Sequence, residues 1–184
     1  MVNMGGMGVD AAICHDAKKL KQRGLRGNFV YKLAALYSAY ARKCCPVEVR
    51  CDGELVYQGK LFSATIGNGA YRGGGYIQTA PDTRWDDGLL DLCIMPHANL
   101  LRESLFMIHC LHEDIASQSD VICRKFKRME VKPLGKSGTM VEIDGGYRGL
   151  VPLTVELTGE QINIVSGLEH QKPSGAEIPG EHNA

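Results

Sequence analysis

Three Asp-Gly pairs punctuate this chain, Asp52-Gly53, Asp87-Gly88 and Asp144-Gly145, and each adjoins a run of alternating or apolar residues. Asp-Gly is a strong hairpin signal, because both residues tolerate the positive φ that matches the twist of paired strands. Val47-Glu48-Val49-Arg50 alternates before the first pair, and Leu55-Val56-Tyr57 alternates after it. Leu61 to Ile66 reads as a further strand. Leu89 to Met95 follows the second pair and is apolar at neighbouring positions, which predicts burial on both faces. Thr139 to Ile143 runs into the third pair, and Val121 to Val131, Leu153 to Leu157 and Ile162 to Val165 are also β-like. About nine strands with two or three helices place the chain in the mainly-β (α+β) class, as a β-sandwich with packed helices.

The helices are read from spacing. A short one runs from about Asp10 to Gln22. The clearest runs from about Asn28 to Lys43, with Asn28 as N-cap and Pro46 as stop, and Phe29, Leu33, Leu36, Tyr37 and Tyr40 form one apolar face. A third runs from Asn99 to about His112 with Leu101, Leu105, Ile108 and Leu111 on one side. The opening stretch Asn3 to Asp10 is so rich in glycine that it reads as a loop. Residues 171–184 hold prolines and glycines without an apolar pattern and read as a disordered tail, leaving one domain over residues 1–170.

Lys and Arg number 21, and so do Asp and Glu, for a formal net charge of zero. That balance excludes a broadly basic nucleic-acid binder. Seven cysteines without a CxxC spacing argue against a secreted disulfide framework and for a reducing cytosol. No apolar run is long enough to span a bilayer, so a membrane is met from its surface. Two basic stretches suit such a surface, Lys18 to Arg26 and Arg124 to Arg128. The bland readings are a solvated helix end and an edge strand guarded by cations. His109 and His112 have a zinc-compatible spacing but no partner ligands, and they read as a helix C-terminus.

Two turns could carry chemistry. The Asp86-Asp87-Gly88 turn offers hard oxygen ligands of the kind Mg²⁺ or Ca²⁺ prefers. Asp144, at a strand end, could take a proton from a hydroxyl. On spacing alone, each turn reads more readily as an ordinary hairpin that binds nothing.

Taken in order, Asn3-x-x-Gly6-x-Gly8-x-Asp10, the helix pair, Asn68 with Gly73-Gly74-Gly75, Ala80-Pro81, Asp87-Gly88-Leu89-Leu90-Asp91 and Ile143-Asp144-Gly145 resemble the C-terminal domain of the bacterial diacylglycerol kinase-like lipid kinases. These belong to the diacylglycerol kinase, sphingosine kinase and NAD kinase superfamily. The resemblance implies a β-sandwich half of a two-domain enzyme that passes the γ-phosphate of ATP to a lipid hydroxyl at a membrane surface. It implies ATP as co-substrate and Mg²⁺ at the Asp-Gly turn, held by the Asp87 carboxylate and the carbonyls of Arg84 and Leu89. It implies a cytoplasmic protein, peripheral at the inner face of the membrane, and it admits a homodimer.

Two departures matter. The family's base lies in an Asp-Gly-Glu motif, which here reads Asp144-Gly145-Gly146, so a base from that motif is Asp144. The Gly-Gly-Asp-Gly-Thr signature of the nucleotide-binding half does not occur in these 184 residues. The expectation is a piece of a longer kinase that is inactive alone, because in-line transfer needs the nucleotide held against the acceptor. The competing expectations are a non-catalytic β-sandwich binding module and an NAD kinase-like enzyme.

Overall fold

A computed structural model describes residues 4–160 apart from 28, 42–43, 70, 73–76, 79–82, 113–114 and 137. Along the chain run β1 (Met4–Gly8), α1 (Val9–Gln22), α2 (Phe29–Ala41), β2 (Cys45–Cys51), β3 (Glu54–Gly67), β4 (Tyr71–Arg72), β5 (Ile77–Gln78), β6 (Leu90–Pro96), α3 (Leu100–Leu111), β7 (Ile122–Phe126), β8 (Arg128–Pro133), β9 (Met140–Ile143), β10 (Gly146–Leu150) and β11 (Leu153–Glu156). The fold is mainly β with three helices, as the alternation and turns predict. The proposed N-cap Asn28, the triple glycine, Ala80-Pro81, Ile162 to Val165 and the tail lie outside the described residues.

Nine strands pair antiparallel in the order β10-β9-β1-β3-β2-β8-β11, with β6 joining β3 to β7. Strand β3 organises this sheet. The alternation suggests two strands, at 55–57 and 61–66, but the ladder continues through Gly59, and one strand spans all 14 residues. Its first half pairs with β2, and its second half pairs with β1 and β6. Exposure changes at the same point: residues before Leu61 are exposed or half-buried, and those from Leu61 on are buried. Met7, Val49, Leu61, Ile66, Leu92, Phe126, Met129 and Val141 come from both halves into one core. Complete burial of such side chains stabilises by roughly 1.5–3 kcal/mol each.

The run 121–131 divides into β7 and β8. The break has a cause in the first Asp-Gly turn, where the Asp52 carboxylate accepts the N–H groups of Lys127 and Arg128 at 2.9–3.3 Å. Phe126, among the cations there, is fully buried, so this stretch does not present an apolar residue to a membrane.

The opening stretch is not a loop. Met4 to Gly8 is a central strand, paired with β3 through Gly6↔Thr65 and with β9 through Gly6↔Glu142. Glycine's poor strand propensity is overridden here by space. A Cβ on Gly8 would lie 2.4 Å from the Phe62 carbonyl oxygen, and Gly8 has φ +76°. This residue turns the chain directly from β1 into α1.

The helices bury other faces than the large apolar residues suggest. Helix α2 packs on α1 through small side chains: Val30 and Ala34 meet Ala17, flanked by Ile13 and Leu20. Phe29, Leu36, Tyr37 and Tyr40 are 58–77 % exposed. Helix α3 is capped by Asn99, whose side chain accepts the Arg102 N–H at 2.9 Å. It buries Phe106 and Cys110, with Phe106 against Phe62 at 6.3 Å between ring centroids, while Leu101 and Ile108 face solvent. His112 closes the helix, donating its N–H to the Ile108 and His109 carbonyls.

Candidate functional site

The β1–α1 junction and the β9–β10 hairpin carry three carboxylates, Asp10, Glu142 and Asp144, of which the first two converge. Asp10 lies in the first turn of α1, which packs across β9 and β10. Gly6, opposite Glu142 in the ladder, has no side chain, and two carboxylates converge on its Cα. A Cβ there would meet Asp10 Oδ2 at 1.8 Å and Glu142 Oε1 at 3.0 Å. Glu142 is 1 % exposed, and its Oε2 accepts the Gly145 N–H at 2.8 Å. It therefore braces the turn that presents Asp144.

Asp144 is exposed and takes φ +48°, the conformation that an Asp-Gly hairpin requires of its first residue. Its Oδ1 accepts the Met4 N–H at 3.1 Å, and its own N–H donates to the Met4 carbonyl at 2.8 Å. The carboxylate is thus tied to the start of β1 at the sheet's edge. At the position of the missing glutamate, a Cβ on Gly146 would stand 3.3 Å from the Ile143 carbonyl, with the Arg148 guanidinium 3.9 Å away. The His15 ring of α1 lies against Tyr147 in a tilted arrangement, with ring centroids 4.9 Å apart. Sequence reasoning singled out Asp144 but gave no role to Glu142, whose only signal was its place two residues ahead on the same strand.

Behind Gly8, at the end of β1 opposite Asp144, lies a cavity of about 220 Å³. Val9, Ala12, Leu61, Phe62 and Met140 make it mostly apolar. Thr139 lines it too, and its buried hydroxyl has no hydrogen-bond partner among the described residues.

The second predicted site is the Asp87-Gly88 turn. Asp87 Oδ1 accepts the Leu89 N–H at 3.0 Å, and Asp87 Oδ2 accepts the Lys125 ammonium at 2.8 Å. Lys125 also pairs with the buried Asp91 at 3.2 Å. Burial alone would lower the lysine's pKa, but the hydrogen bonds and charges of Asp87 and Asp91 outweigh it and hold the group above its ordinary value. Arg84 turns its side chain to Asp86 at 3.4 Å, which leaves its carbonyl, not its guanidinium, as the group to consider for an ion. The donor set, one carboxylate and two carbonyls, is all oxygen and matches a hard divalent cation. Such an ion and the Lys125 ammonium compete for one carboxylate, so entry of the ion requires the lysine's exposed end to swing aside. Trp85 is exposed beside this turn.

The sequence and fold are similar to those of known proteins. Residues 4–166 match the model of the YegS C-terminal NAD kinase beta sandwich-like domain, and the chain belongs to that family. It is 28 % identical over 165 residues to a diacylglycerol kinase of Bacillus subtilis (strain 168), covering 89 % of this chain and 50 % of that one. It is 33 % identical over 122 residues to a probable lipid kinase YegS-like of Chromohalobacter salexigens, covering 66 % of this chain and 38 % of the relative. A crystal structure of a diacylglycerol kinase from Bacillus anthracis str. Sterne superposes with a TM-score of 0.59 at 23 % identity, over 85 % of this chain and 48 % of that chain, and so shares the fold. The chain spans about half the length of the curated relatives it matches, or less.

Proposed function

We propose that this chain forms the C-terminal half of an ATP-dependent lipid kinase that phosphorylates a hydroxyl of diacylglycerol or a similar lipid. The observation that carries the reading is the exposed carboxylate of Asp144, held at the β9–β10 turn by the Met4 N–H, in a turn that the buried Glu142 braces through the Gly145 N–H. A lipid alcohol needs a proton acceptor for its hydroxyl, and Asp144 offers one. Asp144 is the proposed base. It takes the hydroxyl proton as the acceptor oxygen bonds to the γ-phosphorus and the bond from that phosphorus to the β,γ-bridging oxygen breaks. Glu142 and the Met4 N–H position Asp144, and the nucleotide is held by an N-terminal half that carries the Gly-Gly-Asp-Gly-Thr signature. Mg²⁺ at Asp87, with the Arg84 and Leu89 carbonyls, would neutralise the Asp87–Asp91 pair in the lysine's place and fix the turn.

The exposed face of α2 supports contact with an anionic bilayer. Phe29, Leu36, Tyr37 and Tyr40 form an exposed face of α2, whose first turn adjoins the exposed cationic end of α1, where Lys21 stands over the Tyr31 ring at 4.3 Å. Aromatic residues beside cations suit a headgroup layer. No helix among the described residues is long and apolar enough to cross a membrane.

The test is ³²P transfer from ATP to a panel of lipids by the full-length protein. Transfer to diacylglycerol or a related neutral lipid is expected, as is a loss of about 10²–10⁴-fold in kcat for Asp144→Asn. Phosphorylation of NAD and of no lipid would overturn the reading. Gly146, standing where the family has a glutamate, favours a second reading as a binding module. A full-length protein that binds lipid vesicles but transfers no phosphate would establish it.

A further inference from the structure

We infer that Cys44, His97 and Glu103 form a binding site for a zinc-type transition-metal ion, separate from the all-oxygen turn at Asp87. Cys44 is more than fifty residues from the other two, while His97 and Glu103 lie six apart across the start of a helix. Cys44 directly precedes β2, His97 directly follows β6, and Glu103 lies in the first turn of α3. The sheet register explains why they meet. Leu61 of β3 pairs with Cys45 on one strand and with Pro96 on another, so Cys44 and His97 flank β3 at one level. The His97 N–H donates to the Lys60 carbonyl at 2.9 Å, which fixes where the imidazole starts.

A thiol sulfur, a ring nitrogen and a carboxylate oxygen then lie within 4.8 Å of one another. Bonds of about 2.0–2.3 Å to a tetrahedral zinc place its ligands roughly 3.3–3.8 Å apart, so side-chain rotations of about 1 Å close the set. Glu103 is buried and already held: its Oε1 accepts the Ala98 N–H at 3.1 Å and lies 2.6 Å from His97 Nδ1. An imidazole–carboxylate pair at a helix start needs no third member. The thiol turned into that pair is what a metal centre adds. Sulfur and nitrogen donors select zinc, cobalt or nickel over magnesium and calcium. Three protein ligands leave a fourth position for water. The ion would clip the start of α3 to β2 and β6.

Cobalt is the probe. The reduced, metal-free full-length protein is titrated with Co²⁺ while thiolate-to-cobalt charge transfer and the tetrahedral d–d bands are recorded, and Zn²⁺ is then added in competition. One equivalent of Co²⁺ should give both signals, and Zn²⁺ should abolish them. Cys44→Ser, a nearly isosteric change, should remove the charge-transfer band. Cys44→Ser and His97→Ala should each weaken zinc binding more than about 100-fold, beyond the 10–100-fold typical of a supporting partner. Glu103→Gln preserves an acceptor for the Ala98 N–H and should lower affinity with an unchanged circular dichroism spectrum. Absence of charge transfer at stoichiometric Co²⁺ would overturn the inference. So would a band that survives in Cys44→Ser, since the exposed Cys123 offers a competing thiol. None of these signals reads phosphoryl transfer, so the metal site and the kinase reading stand or fall separately.

Discussion

Gly8→Ala should be among the most damaging single-methyl additions to this domain. Two costs combine. Gly8 occupies φ +76° and ψ −132°, a region almost reserved for glycine, and holding an alanine there costs about 1–3 kcal/mol. The new Cβ would also sit 2.4 Å from the Phe62 carbonyl oxygen, 3.2 Å from its carbon and 3.3 Å from Ser63 Cα. All three atoms belong to the backbone of β3, which is paired on both sides and cannot rotate away. Overpacking of this kind costs about 1–3 kcal/mol more. A combined loss of about 3–5 kcal/mol is a third or more of the stability of an ordinary domain. In urea unfolding followed by circular dichroism, that corresponds to a midpoint lowered by about 2 M. The matched control is Gly53→Ala. Gly53 has φ +88°, but an added methyl there would meet nothing within 4 Å, so only the conformational cost of about 1 kcal/mol applies. If Gly8→Ala is no more destabilising than Gly53→Ala, the close approach of β1 to β3 is wrong, and with it the placement of Asp10 at the head of α1.

Gly6→Ala should behave differently, because the atoms its Cβ meets are the carboxylate tips of Asp10 and Glu142 rather than backbone. The fold should survive while kcat of the full-length protein falls about 100-fold, the scale of a 1 Å misplacement, and normal turnover in a folded variant would refute the role of this cluster. Lys125→Met removes the ammonium that neutralises Asp87 and Asp91. Millimolar Mg²⁺ should then raise Tm by about 2–4 °C more than in the wild type, and an identical response in both proteins would argue against an ion at Asp87. Burial, with the charge of Asp52, pushes the Cys51 thiol up to about 11, and burial, with Glu103, does the same for Cys44. Between pH 9 and 11 the unfolded chain releases protons that the folded chain keeps, so stability is full below pH 9 and falls as pH rises through 11. Urea midpoints over that range should fall less steeply in Cys51→Ala than in the wild type, and equal slopes would contradict the burial of that thiol.

The strands were largely legible because their signals are local. Alternation and Asp-Gly turns report directly on pleat and hairpin, and Leu90 to Met95, apolar at adjacent positions, is buried on both faces as that pattern implies. Strand β1 was illegible for the opposite reason. Its glycines carry no strand propensity, and their value lies in what comes close: the Phe62 carbonyl at Gly8, two carboxylates at Gly6. No neighbour in sequence announces those contacts. The proposed metal-binding trio suffers the same limit in part, since His97 and Glu103 meet locally but Cys44 reaches them only through the register of β3.

The helix faces show where periodicity misleads in an informative way. Spacing correctly places large apolar residues of α2 on one side, but which side is buried depends on the partner. Helix α1 offers Ala17 at the contact, and close approach favours Val30, Ala34 and the buried Ser38, which donates to Asp16 Oδ2 at 3.0 Å. The bulky residues are left outward, beside the cationic end of α1. A globular domain gains nothing by exposing Phe29, Leu36, Tyr37 and Tyr40 to water, since isolated apolar residues are ordinary but a contiguous face is not. The same exposure is favourable at a headgroup layer, where those side chains leave water and the lysines meet phosphate. The face that is out of place in a soluble fold is thus the one that fits the bilayer contact proposed for this domain.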